Sequence, residues 1–216
     1  MTQKLVFDAP PPTLLATDDG QLFPVRRIFC VGKNYADHVK EMGGAPSEDP
    51  PVFFAKPTDA ATNNASVPFP PMTDNLHFEG ELVVAMTSPK EIFGYAAGCD
   101  LTRRDLQKAA KEKGAPWDMA KGFDLSGPVG PITNAAPPGE ARLRTLVNGE
   151  IRQDESLSSM IWPIPDILRA LSRYCALAAG DLIFTGTPAG VGAIVSGDEI
   201  SVEIDGIAPL SFKLSN

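Results

Sequence analysis

Proline and glycine recur so often along this chain that long helices have little room. The 216 residues include 21 prolines and 19 glycines, and a proline inside a helix or a central strand removes a backbone hydrogen-bond donor. The same two residue types favour tight turns between short elements. Hydrophobic residues make up 43% of the chain, which is enough to build a core. The pattern therefore predicts one folded unit of short strands and turns, with few helices.

Apolar runs bounded by turn residues predict the strands. The clearest runs are 25–32, 51–57, 80–86 and 181–188, the last of which ends in a tight turn. Asn148-Gly149 and Asp205-Gly206 each lie between two further runs, and Asn-Gly and Asp-Gly are strong signals for hairpin turns. We therefore expect a hairpin at each dipeptide, with the second one closing the chain.

Helical signals mark three segments, 34–42, 102–113 and 165–177. Asn34 and Thr102 are the predicted N-caps of the first two helices, and Gly114 is the predicted end of the second. The elements do not alternate regularly as βαβ units, which argues against a doubly wound sheet or a TIM barrel. We predict an α+β, β-dominated fold, with an N-terminal leader segment at 1–24 and a single domain at 25–216.

Charge and cysteine content exclude several function classes. The net charge of −8 argues against nucleic acid or an anionic membrane as the main partner, since both require a basic surface. Neither a signal peptide nor a membrane-spanning run of about 18 apolar residues is evident. Cys30, Cys99 and Cys175 are widely spaced and form no CxxC pair, so no zinc site or disulfide framework is indicated. We expect a cytoplasmic protein.

Three carboxylates form the first candidate site. Glu79 and Glu81 lie two positions apart at the start of an apolar strand, so both side chains point to one face. Asp100 ends another apolar run. Carboxylates without Cys or His suit a hard cation, Mg²⁺ or Mn²⁺, with Ca²⁺ possible. The same pattern is also typical of solvated strand-edge glutamates and an aspartate that caps a helix.

A histidine and a glutamate form the second candidate. His38 and Glu41, three positions apart on a predicted helix, share one face, and a carboxylate that orients an imidazole makes it a better general base. An ordinary surface pair has the same spacing. His77, beside the carboxylates, is the competing base, for which we favour a structural or supporting role.

Four basic or amide side chains form the third group of candidates. Arg104 and Gln107 fall on the face of a predicted helix that also carries Asp100, where they could bind a carboxylate and a carbonyl of a substrate. Lys121, between apolar residues, could stabilise a developing anion, and Lys56 is similar. A solvated helix face and surface lysines with buried stems would give the same patterns.

The segment Thr185-Gly186-Thr187 is the last candidate. Backbone N–H groups of such a turn, together with a threonine hydroxyl, can hold a carboxylate. The segment lacks the lysine of a phosphate-binding P-loop. A plain glycine-rich turn is the alternative.

Seven segments in order resemble the fumarylacetoacetate hydrolase family over nearly the whole chain. They are GKNYADHVKEMG, VFFAKP, LHFEGELVVAM, GYAAGCDLTRRDLQ, PWDMAKGFDLSGPVGP, VNGEIRQDESLSSMIW and GDLIFTGTPAGVG. Within the family the chain is most similar to the short acylpyruvate hydrolases, in particular the bacterial fumarylpyruvate type. The segments 86–95 and 131–147 are shorter than the loops expected there.

The resemblance implies a role for each candidate residue. It places the metal on Glu79, Glu81 and Asp100. It implies a catalytic set of His38, Glu41, Gln107 and Lys121, and a substrate-binding set of Arg104, Thr185, Gly186, Thr187 and Lys56. It also implies a mixed β-roll or sandwich with peripheral helices, a magnesium cofactor and a homodimer.

The expected activity is metal-dependent hydrolysis of the C–C bond of a 2,4-dioxo acid. The resemblance favours 3-fumarylpyruvate, which yields fumarate and pyruvate in the gentisate branch of aromatic catabolism. Oxaloacetate decarboxylation, isomerisation and decarboxylation of related diacids, and dehydration of a 2-oxo sugar acid are alternatives within the same chemistry. A non-catalytic β protein stabilised by a metal ion is the alternative from another class.

Overall fold

A computed structural model describes residues 5–45 and 50–216. The first four residues of the predicted leader lie outside this part of the chain. The strands are β1 (Leu14–Ala16), β2 (Leu22–Pro24), β3 (Arg27–Gly32), β4 (Val52–Lys56), β5 (Ala61–Thr62), β6 (Ser66–Pro68), β7 (Leu76–Phe78), β8 (Gly80–Ser88), β9 (Glu91–Cys99), β10 (Thr102–Arg103), β11 (Gly127–Pro128), β12 (Arg142–Val147), β13 (Glu150–Ser156), β14 (Asp181–Phe184), β15 (Gly192–Ile194), β16 (Glu199–Ile204) and β17 (Leu210–Ser215). The α-helices are α1 (Ala36–Glu41), α2 (Arg104–Lys113), α3 (Asp118–Lys121) and α4 (Ile164–Leu171).

Two five-stranded sheets form the framework of the fold. The first has the order β4-β3-β14-β8-β9 and the second the order β13-β12-β16-β17-β6. Each contains one parallel pair, β3 with β14 and β6 with β17, among antiparallel neighbours. Smaller sheets, including β10-β7-β15, adjoin them. The predicted α+β, β-dominated fold with mixed sheets and few helices is confirmed.

Strand β8 lies in the middle of the core because both of its faces are buried. Leu82 packs in one cluster with Leu143 and Val202, which come from the second sheet. Val83, on the opposite face, packs with residues of the first sheet and with Leu15 near the N-terminus. A strand covered on both faces reads as a continuous apolar run rather than an alternation, as the sequence GELVVAM does.

Residues 14–24, within the predicted leader, form a hairpin of β1 and β2. Leu15 and Phe23 are buried against the first sheet. The hairpin is part of the folded core, and the division of the chain at residue 24 stays a prediction.

The helices begin later or end earlier than predicted, and two predicted caps are wrong. Helix α1 starts at Ala36, and the Asn34 side chain donates to the Trp162 and Thr185 carbonyls instead of capping it. Helix α2 starts at Arg104 because Thr102 belongs to a strand. Tertiary hydrogen bonds thus compete successfully with local capping.

Other local predictions vary in accuracy. Gly114 ends helix α2 in the left-handed conformation, as predicted. Helix α4 ends at Leu171, short of the predicted 177.

Asn148-Gly149 joins β12 to β13 with positive φ at both residues, as a type I′ turn requires. Asp205-Gly206 lies in a longer connection than the predicted tight turn, since β17 begins only at Leu210. In the described ranges no helix combines the length and hydropathy needed to cross a bilayer.

Candidate metal and substrate site

Strand register brings the three carboxylates together. Glu79 and Glu81 flank Gly80 on one chain segment and therefore point to the same side. In the β8–β9 pair Gly80 lies opposite Cys99, and the next backbone bond runs from Asp100 N to Glu79 O at 2.8 Å. Asp100 is thus a cross-strand neighbour of Glu79. One oxygen from each carboxylate lies within 4.8 Å of the other two, and all three residues are buried.

Gly80 allows the strand that carries these carboxylates to approach the second sheet. A Cβ atom at this position would lie 1.9 Å from Thr145 Oγ1 of β12. On the same strand pair, Gln153 of β13 accepts a hydrogen bond from Gly80 N at 3.0 Å and donates to Thr187 Oγ1 at 2.7 Å. The buried Gln153 amide therefore ties the carboxylate strand to the turn at 185–187.

Three cations neutralise part of the carboxylate cluster. Lys121 Nζ donates to Glu79 Oε2 at 2.7 Å and to Asp100 Oδ2 at 2.6 Å. Arg104 Nη2 donates to Glu79 Oε1. Lys56 Nζ lies 2.8 Å from Asp100 Oδ1. Although burial raises the pKa of Glu79, the charges of Lys121 and Arg104 outweigh it and hold that pKa below its ordinary value.

Glu81 is the exception in the cluster. Its Oε2 accepts a hydrogen bond from Gly186 N at 2.7 Å, and no described cation forms an ion pair with it. Burial, followed by the negative charges of Asp100 and Glu79, raises its pKa well above the ordinary value. One more positive charge nearby would stabilise the ionised form of this buried carboxyl group.

The cluster fits a divalent cation in two respects: the type of its donor atoms, and the incomplete set of polar partners around Glu81 and Asp100. Its donors are all carboxylate oxygens, the ligand type that Mg²⁺ and Mn²⁺ prefer. Asp100 Oδ1 is buried and accepts no hydrogen bond from the described residues, although the Lys56 ammonium lies 2.8 Å away. Together with the Glu81 carboxylate, this oxygen is a candidate ligand atom, because the described residues leave both without a full set of polar partners.

A cavity of about 260 Å³ opens beside the cluster. Its wall includes Glu79, Glu81 and, from helix α1, His38. His38 Nδ1 lies 3.2 Å from Glu41 Oε2, and Glu41 Oε1 accepts a hydrogen bond from Gly190 N at 3.0 Å. The second contact fixes the carboxylate that in turn orients the imidazole.

Arg104 and Gln107 line the same cavity from helix α2. Arg104 Nη1 donates to Gln107 Oε1 at 2.7 Å. Because a guanidinium can only donate, this bond fixes the amide orientation and turns Gln107 Nε2 away from the arginine. Gln107 Nε2 donates to no described residue, so it is available to a ligand.

Lys121 and Thr187 also line the cavity, but the polar groups of Lys121 and of the 185–187 turn are engaged within the protein. A third hydrogen bond, to Thr102 Oγ1 at 2.7 Å, engages the last N–H of the Lys121 ammonium. The Thr185 and Thr187 hydroxyls donate to the Leu82 and Gly80 carbonyls, at 2.9 and 2.8 Å. Their predicted contacts with a substrate stay predictions; the observed contacts hold the carboxylate strand.

His77 lies on β7 beside the cluster but does not line the cavity. Its Nε2 lies 3.0 Å from Asn75 Oδ1, and its Nδ1 is buried without a partner among the described residues. Burial and the charge of Arg104 lower the pKa of His77 to about 4. It is therefore neutral at pH 7, in keeping with a supporting role.

Four residues at the site are not among those predicted from the sequence. Lys111 and Trp117 line the cavity, Ser126 accepts a hydrogen bond from Lys56 at 3.1 Å, and Gln153 supports Gly80. Each is an ordinary residue type in an unremarkable context. For Lys111 alone a signal existed, because it follows Arg104 and Gln107 on the same helical stripe.

Comparisons with known proteins agree with this geometry. The fumarylacetoacetate (FAA) hydrolase C-terminal family model matches residues 27–215. The structure of a fumarylpyruvate hydrolase from Pseudomonas aeruginosa, solved in complex with Mn²⁺ and pyruvate, superposes with a TM-score of 0.93 and 39% identity, covering 98% of this chain and 99% of that chain.

Two relatives found by sequence comparison are named oxaloacetate tautomerases and not fumarylpyruvate hydrolases. The chain is 43% identical to the mitochondrial oxaloacetate tautomerase FAHD1 of Bos taurus, over 88% of this chain and 91% of the relative. It is 38% identical to the oxaloacetate tautomerase YcgM of Escherichia coli, over 85% and 90% of the two chains. The family model over residues 27–215, together with these identities over most of the chain, shows that the chain is a member of the fumarylacetoacetate hydrolase family.

Proposed function

We propose that this protein hydrolyses the C–C bond of a 2,4-dioxo acid in a metal-dependent reaction, with 3-fumarylpyruvate as the substrate. The observation that carries the proposal is the His38–Glu41 pair, whose imidazole lines the same cavity as Glu79 and Glu81. Hydrolysis needs an activated water, and a carboxylate-oriented imidazole is a suitable general base.

Glu79, Glu81 and Asp100 would hold Mg²⁺ or Mn²⁺. When bound, such a cation supplies Lewis-acid polarisation of the oxygens at the 2-oxo acid end of the substrate. Lys121 and Lys56 hold Glu79 and Asp100 in place by ion pairs, and the charge of Lys121 favours the ionised form of Glu79, which is the form that a cation requires.

His38 and Glu41 act on the water. With Nδ1 hydrogen-bonded to Glu41, the imidazole keeps Nε2 as its proton acceptor. His38 Nε2 takes a proton from water, and the water oxygen adds to the C4 carbonyl carbon. The C3–C4 bond then breaks with its electron pair going to C3. Return of a proton to C3 completes pyruvate, and the acyl half leaves as the carboxylic acid.

Gln107 is the proposed donor to the oxygen on C4, where negative charge develops. Its Nε2 is directed by the bond between Arg104 and Oε1 and is not engaged by the described residues. Removal of one donor to a developing oxyanion typically lowers turnover by about a hundredfold to a thousandfold. Lys121, predicted to share this role, is the weaker candidate because its N–H groups are already engaged.

Tautomerisation or decarboxylation of oxaloacetate is the second candidate. It is supported by the identity to two oxaloacetate tautomerases. In tautomerisation, His38 would move a proton between C3 and the enol oxygen, with no water consumed. Tautomerisation breaks no C–C bond and releases no pyruvate, whereas decarboxylation of oxaloacetate releases CO₂ and pyruvate. Neither reaction consumes water or cleaves a 2,4-dioxo acid, as the hydrolase would.

An absorbance assay separates the candidates. Metal-stripped protein is mixed with fumarylpyruvate, acetylpyruvate or oxaloacetate, each with and without Mg²⁺, while loss of the enol absorbance and release of pyruvate are followed. Metal-dependent pyruvate from a dioxo acid supports the hydrolase. Enol decay of oxaloacetate without pyruvate, and no cleavage of either dioxo acid, would replace it by the tautomerase.

His38→Ala tests the base within the favoured candidate. Turnover is expected to fall by about a hundredfold to ten-thousandfold, with Mg²⁺ affinity unchanged, because the imidazole is not among the proposed ligands. Wild-type turnover in this variant would contradict the assignment. The homodimer and the cytoplasmic location stay predictions.

A further inference from the structure

We propose that Lys111, packed against Trp117, binds the second carboxylate of a 2-oxo diacid substrate. From its place on helix α2, Arg104 is the residue that the sequence favours for binding a substrate carboxylate. The inference deepens the proposed function, on which it rests for the identity of the 2-oxo acid end, and it requires a substrate that carries a second carboxylate.

The charge of Arg104 is already paired inside the protein. Its two terminal nitrogens donate to Glu79 and to Gln107, and its guanidinium is buried. Removing this cation from Glu79 to serve a substrate would leave a buried carboxylate less compensated. Arg104 is therefore better suited to hold Glu79 and Gln107 than to bind the far end of a substrate.

Lys111 lies on the same helical stripe at the open side of the cavity. It follows Arg104 by about two turns of helix α2 and lines the cavity wall. Its one described interaction is with an aromatic face, Nζ lying 5.1 Å from the centroid of the Trp117 ring. Among the described residues it has no carboxylate partner, so its ammonium is available to an anion.

Trp117 gives this ammonium a fixed support. The indole packs against Phe54, with ring centroids 5.9 Å apart, and both rings line the cavity. A cation over an aromatic face loses less conformational freedom when it binds an anion than a lysine that extends freely into water. The ring also supplies an apolar wall for the carbon chain of a substrate.

The surrounding charge favours an anion at this place. Burial lowers the pKa of Lys111, and the positive charges of Arg104, Lys121 and Lys33 lower it further, opposed by Glu79. Lys33 also lines the cavity, from the side of helix α1. A protein with a net charge of −8 thus presents a locally positive cavity mouth.

Two ligands that differ only at the far end test the inference directly. 2-Oxoglutarate and 2-oxopentanoate share the 2-oxo acid end and the chain length, but only the first has a second carboxylate. Binding of each to the Mg²⁺-loaded protein is measured by titration calorimetry. We expect wild type to bind 2-oxoglutarate about tenfold more tightly, as one charge-assisted hydrogen bond would give.

The matched control is Lys113, on the opposite side of the same final turn of helix α2. Lys111→Met should reduce the preference for 2-oxoglutarate to about twofold or less, and Lys111→Arg should retain it. Lys113→Met removes the same charge from the same helix end, outside the cavity lining, and should leave the preference unchanged.

The outcomes separate this inference from the proposed function. Absence of a preference in wild type, an unchanged preference in Lys111→Met, or an equal loss in Lys113→Met would overturn the role of Lys111. If no dioxo acid releases pyruvate but the preference is lost only in Lys111→Met, the hydrolase proposal fails and the binding role of Lys111 stands.

Discussion

Two buried carboxylate sites on the first sheet show opposite ways of placing negative charge in a protein interior. Asp181, at the start of β14, is fully buried and accepts hydrogen bonds from Arg26 and Arg27, the shortest at 3.0 and 2.8 Å. Its Oδ2 also accepts from Ala178 N at 2.9 Å. Two arginines that reach solvent thus surround one carboxylate, and Asp181 does not line the cavity beside the other carboxylates.

The cluster of Glu79, Glu81 and Asp100 has the opposite balance. Its charges are matched only in part, since Glu81 has a backbone N–H but no cation partner among the described residues, and a cavity opens beside it. Burial is equal in the two sites, so burial alone does not identify a functional carboxylate. The unmatched charge next to an open cavity is what distinguishes a site for a ligand from a structural ion pair.

Loss of Lys121 should have the largest effect. Lys121→Met leaves Glu79 and Asp100 buried without the ammonium that contacts both, which should lower the free energy of unfolding by about 3–5 kcal/mol. Urea denaturation of metal-free protein measures this. Added Mg²⁺ should restore part of the loss, whereas a variant as stable as wild type would show that the cluster does not depend on this cation.

Glu81→Gln should separate activity from stability. Mg²⁺-dependent turnover is expected to fall by about a hundredfold, as one proposed ligand charge is lost. Because the pKa of Glu81 is raised, its ionised form destabilises the fold above the ordinary carboxyl pKa, so metal-free stability at pH 7 should be equal or higher. Unfolding and rate measurements on one preparation give both values. A destabilised variant would show that ionised Glu81 does not destabilise the metal-free fold.

Asp181→Asn should give the reverse result. Several charge-assisted hydrogen bonds are lost, but the arginines can regain water, so we expect a loss of about 2 kcal/mol in the free energy of unfolding. Turnover and Mg²⁺ affinity at 25 °C should match wild type, since Asp181 does not line the cavity. A fall in Mg²⁺ affinity would link the two sites and remove the contrast between them.

His77 should contribute the smallest effect, visible in acid. Its pKa of about 4 lies below the ordinary value near 6.5, so the unfolded chain binds a proton more readily. The stability that depends on neutral His77 is present above about pH 6.5 and is lost as the pH falls towards 4. Allowing for solvent screening, we expect wild type to lose about 1 kcal/mol more than His77→Gln between pH 7 and 4.5, by urea denaturation. Equal losses would show that His77 is not desolvated.

The sequence by itself determined the local parts of this protein. The i, i+2 spacing of Glu79 and Glu81 on a strand and the i, i+3 spacing of His38 and Glu41 on a helix follow from backbone periodicity. The turn at Asn148-Gly149 and the helix end at Gly114 follow from residues that adopt positive φ. These features were predictable because each depends on neighbours in the chain.

Only the tertiary structure decided how the parts act on each other. The register of β8 with β9 placed Asp100 opposite Glu79, and the packing of helix α3 inserted Lys121 between them. The same long-range contacts used Asn34 as a bridge instead of a cap. Charge compensation depends on distances between segments far apart in sequence, and neither residue type nor periodicity encodes those distances. For that reason the sequence could identify the carboxylates, but only the fold decided that, within residues 5–45 and 50–216, Glu81 forms no ion pair with a cation.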